Sequence, residues 1–132
     1  MGRTEQHGLV HLDTHVVIWL YEGRVEAISP TARTLIERGR CVISPMVRLE
    51  LQYLFEIGRT VLDADSVLVA LRKDMELDIA DGDFDAVVKT SLSLNWTRDV
   101  FDRLITAQAL QEGAVLVTRD RKIRDNCSAA VW

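Results

Sequence analysis

The sequence predicts an α/β domain, with a mainly parallel sheet covered by helices on both faces. Short apolar strand candidates alternate with longer amphipathic helices, so a helix lies between successive strands. Helix boundaries are chemically marked, with Ser-Pro starts at 29–30 and 44–45 and glycine stops at 23, 39, 58 and 113. A chain of 132 residues, 48% of them hydrophobic, suits one compact domain with a sizeable core. Residues 1–8 read as a flexible N-terminal segment, because the residues before Gly8 are mostly polar, and 9–132 as a single domain.

In chain order, Leu9 to Leu12 is an apolar strand that delivers Asp13 at its C-terminal end, and 15–21 follows as a short helix ended by Glu22-Gly23. Ser29-Pro30 opens a second helix with Ala32, Leu35 and Ile36 on its apolar side, and Cys41-Val42-Ile43 forms a second strand. Ser44-Pro45 opens a third helix running to about Ile57, with a stripe of Met46, Val47, Leu51, Tyr53, Leu54 and Ile57. Residues 63–73 form a helix with Val67, Leu68 and Leu71 inward, 77–79 a short strand, and 83–92 a helix. After a break at 93–99, the helix at 100–112 carries Phe101, Leu104, Ile105, Ala109 and Leu110. Ala114 to Val117 is the clearest buried strand, and Cys127 to Trp132 is a candidate edge strand.

Several function classes are disfavoured. No apolar run reaches the length needed to cross a bilayer, and the N-terminus lacks the apolar core of a signal peptide. Cys41 and Cys127 make no metal-type spacing and read as reduced core residues of a cytoplasmic protein, with a disulfide left open. The formal charge of −4 argues against a broad basic face for duplex binding, but not against a local basic patch or a basic protein partner. There is no phosphate-binding glycine loop, no dinucleotide fingerprint and no serine-nucleophile elbow.

What stands out is the placement of acidic residues. Asp13 ends the first strand, and Asp120 comes three residues after Val117. Glu50 sits on the apolar side of the third helix, where a carboxylate needs a partner or a metal if buried. Asp102 lies in the first turn of the helix that feeds the last long strand. In a parallel sheet these places converge at the carboxyl edge of the strands. Carboxylates meeting there repel one another unless a cation neutralises them, and all-oxygen ligation favours Mg²⁺ or Mn²⁺. Each acid also has a structural reading. Asp13 suits an N-cap, Asp102 an N3 partner in a reciprocal cap with Asp99, Asp120 a turn after Thr118, and Glu50 a salt bridge to Arg48 or Arg59. Arg98 and Arg103 bracket Asp99 and Asp102, while Arg119, Arg121, Lys122 and Arg124 surround Asp120. That pattern suits a positive rim for a polyanion, or a solvated charged surface. Trp96 is open to two readings, a base-stacking platform or a partly buried structural residue.

Four segments in register resemble a PIN-domain nuclease. They are Leu12-Asp13-Thr14-His15 with Val16 to Leu20; Ile43-Ser44-Pro45 with Leu49-Glu50-Leu51 and Gly58-Arg59; Asp99-Val100-Phe101-Asp102-Arg103-Leu104-Ile105 with Ala107-Gln108-Ala109; and Val117-Thr118-Arg119-Asp120. The similarity covers the chain from about Leu9 onward and is strongest to the VapC-like toxins of bacterial toxin–antitoxin pairs. It implies a three-layer sandwich whose five-stranded, mostly parallel sheet is flanked by helices. The implied activity is Mg²⁺- or Mn²⁺-dependent cleavage of RNA, with water as nucleophile. Asp13, Glu50, Asp102 and Asp120 are implied as the metal-site acids, Asp99 as an accessory acid and Thr118 as a hydroxyl that orients the site. A homodimer and a cognate antitoxin are implied as partners. Val100 stands where the subgroup usually has Pro, and Arg119 where a small residue is common. Arg119 could assist phosphate binding or pair with Asp120 against a cation. A catalytically silent RNA- or protein-binding domain of the same fold, and a Mg²⁺-dependent phosphohydrolase or phospho-receiver, remain as alternatives at this point. The phospho-receiver lacks an obvious nucleophilic Asp beside a phosphate-binding Lys.

Overall fold

The computed structural model describes residues 8–132, so the expected flexible segment over 1–8 lies outside the described residues except for Gly8. Five strands, β1 (Leu9–Leu12), β2 (Arg40–Ile43), β3 (Asp78–Ile79), β4 (Val115–Val117) and β5 (Ala130–Val131), form one sheet in the order β3-β2-β1-β4-β5. Every pairing is parallel. Seven α-helices connect the strands: α1 (Thr14–Glu22), α2 (Pro30–Arg38), α3 (Pro45–Glu56), α4 (Ala64–Met75), α5 (Phe84–Ser91), α6 (Val100–Gln111) and α7 (Arg121–Asn126).

The topology follows from the connections. β1 to β2 to β3 steps toward one edge, through α1 and α2 and then α3 and α4. The return through α5 and α6 crosses back to place β4 on the other side of β1. Right-handed crossovers running in opposite directions put their helices on opposite faces. α1, α3 and α4 contact one another and α5 packs on α6, while α3 and α6 also meet, with Tyr53 against Phe101. The direction of winding reverses between β1 and β4, and a reversal of this kind opens a crevice at the carboxyl ends of the strands.

The three central strands are buried along nearly their whole length, with Val10, Leu12, Cys41, Ile43, Leu116 and Val117 at the centre of the core. Val16 and Val17 from α1, Val47 and Leu51 from α3, and Ile105 and Ala109 from α6 close over them. Val87, Leu104 and Ala107 form a smaller cluster between α5 and α6. His11 is fully buried, and its Nε2–H donates to Glu112 Oε1 at 2.7 Å, tying the central strand to the end of α6. Cys41 and Cys127 are both free and buried, which closes the disulfide alternative.

Most helix ends use the residues the sequence marks. Ser29 and Ser44 accept from backbone N–H groups inside α2 and α3, each with Pro at the helix start. Gly23 adopts φ 71° as the C-cap of α1, a left-handed conformation open to glycine. Two short elements do not correspond to a sequence expectation: a 3₁₀ turn at Val25–Ala27 and helix α7. None of the helices among the described residues is long and apolar enough to cross a membrane.

Candidate active site

The carboxyl ends of β1 and β4 meet at the crevice. Asp13 N–H donates to Val117 O at 3.0 Å, which extends the β1–β4 ladder by one residue and fixes the Asp13 backbone. From there the chain turns into α1, with Asp13 as N-cap accepting from Thr14 N–H at 2.8 Å. Its second oxygen accepts from Thr118 Oγ1 at 2.6 Å, so the end of β4 orients the carboxylate at the end of β1. Thr118 Oγ1 also accepts from Asp120 N–H at 3.0 Å, and Asp120 caps α7 through Ile123 N–H. The structural readings of Asp13 and Asp120 therefore hold without removing either from the cleft. In each, one carboxylate oxygen serves the helix while the residue still lines the cleft.

Glu50 reaches the same place from α3. It is half-buried, and Thr14 Oγ1 donates to its Oε1 at 2.5 Å. Neither Arg48 nor Arg59 pairs with it; Arg48 lies 3.7 Å from Asp65 instead. Asp99 caps α6 by accepting from Asp102 N–H at 3.0 Å. The reciprocal half of that cap does not form, because Asp99 N–H donates to Thr97 Oγ1 and the Asp102 side chain lies along the cleft.

Asp13, Glu50, Asp99, Asp102 and Asp120 thus line a single open cleft of ≈ 430 Å³, together with His15, Val16, Trp19 and Arg119. The electrostatic consequence is strong. Burial pushes the Asp102 carboxyl up to about 7, helped by the charges of Asp99, Asp13, Asp120 and Glu50. Burial also raises Asp13, against the opposing hydrogen bonds from Thr118 and Thr14. Glu50 is raised in the same way, by burial first and then by Asp13 and Asp99, with the Thr14 hydroxyl working against the rise. Burial first, and mutual repulsion after it, raise the proton affinity of these carboxylates, and a cation would compete for the same oxygens.

Among the described residues, the acids share one cleft, but no three His, Cys, Asp or Glu side chains close round a point as a ready-made ion cage. The acids line the walls of an open cleft. That geometry fits a hard, hydrated ion, since Mg²⁺ keeps several waters and takes one or two carboxylates directly.

The basic residues are arranged differently from a continuous rim. Arg103 donates to Ser91 O at 2.9 Å from Nη2 and so binds α6 to the end of α5, while Arg98 donates to Asn95 O at 3.0 Å. Arg121 and Lys122 are exposed on α7, and neither lines the cleft. Of the Lys and Arg side chains, Arg119 alone lines it among the described residues. Arg119 does not pair with Asp120; its guanidinium lies 5.9 Å from the centroid of the Trp19 ring. Trp96 packs against the core and is not part of the cleft. His15 and Trp19 are cleft residues that the sequence reading left out. Their four-residue spacing on α1, directly after Asp13, is the signal that places both on the side facing the site.

The sequence pattern of the PIN domain matches residues 10–128, about nine-tenths of the chain. The chain belongs to the PIN domain family. The PIN domain is 32% identical over 120 residues to Ribonuclease VapC22 of Mycobacterium tuberculosis, covering 89% of this chain and 91% of that protein. Its fold is shared with three solved toxin–antitoxin structures. VapBC2 from Rickettsia felis, bound to a DNA fragment from its promoter, aligns with a TM-score of 0.65 and 21% identity over 89% of this chain and 92% of that one. A toxin–antitoxin complex from Klebsiella pneumoniae gives 0.61 and 18% over 93% and 96%. VapBC-1 from nontypeable Haemophilus influenzae gives 0.60 and 19% over 94% and 96%. The three-layer, five-stranded arrangement of the PIN domain is the fold these chains have in common with it.

Proposed function

We propose that this PIN domain is a metal-dependent endoribonuclease that hydrolyses RNA phosphodiesters with water as nucleophile, acting in the cytoplasm as the toxin of a toxin–antitoxin pair. The observation that carries the reading is the convergence of five carboxylates, from β1, α3, α6 and the β4–α7 turn, on one cleft at the switch point of a parallel sheet. The likeness to Ribonuclease VapC22 supports RNA as the substrate. The likeness to toxin–antitoxin complexes supports an antitoxin as partner, and a homodimer is the assembly we propose with it. Exposed apolar side chains such as Leu49, Tyr53, Val61 and Val69 leave surface for protein contacts.

The residues that would hold Mg²⁺ or Mn²⁺ are Asp13, Glu50, Asp102 and Asp120, with Asp99 as an accessory. When bound, such an ion supplies an activated water and charge neutralisation at the phosphate. The chain's own contribution is placement. Thr118 and Thr14 hold the Asp13 and Glu50 carboxylates in fixed rotamers through 2.6 Å and 2.5 Å hydrogen bonds. Arg119, parked on Trp19 rather than on an acid, leaves the carboxylates free and offers a cation to a phosphate.

The test is cleavage of total RNA by purified protein in Mg²⁺ or Mn²⁺, with mapped ends, against an EDTA control. Asp13→Asn is expected to lower cleavage by about 10²-fold or more while the fold persists. Undiminished, contaminant-free cleavage by the folded variant overturns the reading.

A further inference from the structure

We propose that the wall of the cleft formed by His15, Trp19 and Arg119 is a stacking subsite for one base of single-stranded RNA, a proposal that rests on the ribonuclease reading above. The lining of the cleft has two characters: carboxylates, which repel a polyanion, and a set of planar groups with one guanidinium. Three separate parts of the chain build this set. His15 and Trp19 are one turn apart on α1, with ring centroids 6.2 Å apart and tilted 49°. Trp132, just past β5, braces Trp19 from another side at 5.9 Å and 55°. Arg119, from the β4–α7 turn, lies 5.9 Å from the Trp19 centroid, and among the described residues it makes no ion pair.

An arginine that lines a cleft with five carboxylates yet lies over an indole, and not on an acid, is held among the aromatic groups of this wall. A guanidinium plane and aromatic faces are what unpaired bases stack on, and every base has such a face. His15 and Arg119 are exposed and Trp19 is half-buried, so the wall is open to an occupant. Because α1 grows directly out of Asp13, His15 and Trp19 stand about 3 Å and about 9 Å along the helix from a carboxylate proposed to hold the metal ion. A base next to the scissile phosphate reaches it only if it is unstacked, which selects single strands and loops over duplex.

The experiment uses the full chain and a fluorescein-labelled oligoadenylate hexamer in Ca²⁺, with strand integrity checked on a gel, and an abasic site stepped through the hexamer. One position is expected to weaken binding by about five- to a hundredfold when its base is removed. Arg119→Lys keeps the charge and loses the plane. It is expected to weaken the intact hexamer comparably and to flatten the abasic profile at that position, with Trp19→Phe intermediate; unfolding scans confirm that both variants fold. A flat profile for the wild-type protein, with RNA still bound and still cleaved in Mg²⁺ or Mn²⁺, overturns the subsite and spares the ribonuclease. Unimpaired binding by Arg119→Lys with its abasic profile unchanged also overturns it. A wild-type protein that neither binds nor cleaves RNA sinks both readings.

Discussion

At the scale of single residues, the Thr118–Asp13 pair shows how the site is held. Asp13 is buried, and its charged form depends on two donors, the Thr118 hydroxyl and the Thr14 backbone N–H. Thr118→Val keeps the shape and removes one donor, leaving a buried oxygen without its partner. Its expected cost is about 1–3 kcal/mol of stability, read from urea unfolding. An accompanying loss of about 10–100-fold in Mn²⁺ affinity, read by calorimetry, follows if Thr118 orients a metal-bearing carboxylate. A variant with wild-type stability and wild-type Mn²⁺ binding would show that the hydroxyl does neither. Asp102 makes the opposite prediction. Its carboxyl is pushed up to about 7 by burial and by four neighbouring acids, so its charge works against the fold. Asp102→Asn is expected to stabilise the metal-free protein at neutral pH, on the order of 1 kcal/mol after allowance for solvent screening, while abolishing cleavage. A fall in Tm in EDTA contradicts this.

At the scale of elements, the sequence made most of the fold legible because its boundaries carry specific chemistry. Ser-Pro starts and glycine stops locate α2 and α3 to within a residue or so. Helix α7 was not legible, because six residues with Ile123 as the one buried side chain carry no 3.6-residue pattern. What fixes that helix is the Asp120 cap, a contact that exists only once Thr118 holds the turn. The acids of the site were legible from their positions at element ends. The path of the arginines was not, since Arg103 and Arg98 are drawn to backbone carbonyls at 91 and 95 that the sequence does not place. Gly39 gives a test of element packing. A Cβ there would overlap Val10 Cγ2 and lie 2.9 Å from Leu35 O, so β1 and the end of α2 close on a position with no room for a side chain. Gly39→Ala is expected to destabilise by about 1–3 kcal/mol, seen as a lower urea midpoint with an unchanged slope. A midpoint equal to wild type would show that β1 and α2 separate freely at this point.

At the scale of the whole molecule, the winding of the sheet and the titration of the cleft are linked. The reversal between β1 and β4 brings acids from distant parts of the chain together, and folding therefore raises the proton affinity of Asp13, Glu50 and Asp102 at once. For a carboxylate whose folded pKa exceeds its unfolded value, the native state binds more protons than the unfolded state. Stability then falls as pH rises through the interval between the two values. For Asp102 that interval runs from 3.8 to about 7, and Asp13 and Glu50 act in the same direction. The metal-free protein is thus expected to lose stability between about pH 4 and pH 7, the reverse of a protein whose carboxylates are held by salt bridges. A divalent cation occupies the place of the displaced protons, so its stabilising effect grows over the same interval. Melting curves in EDTA and in saturating Mn²⁺ at pH 5.5 and 7.5 measure both slopes. The expected result is a Tm gain from Mn²⁺ that is several degrees larger at pH 7.5, on the scale of about 1–2 kcal/mol. The same gain should shrink in Asp102→Asn. A Mn²⁺ effect equal at the two pH values would mean that the ion binds away from the carboxylates that the fold has gathered.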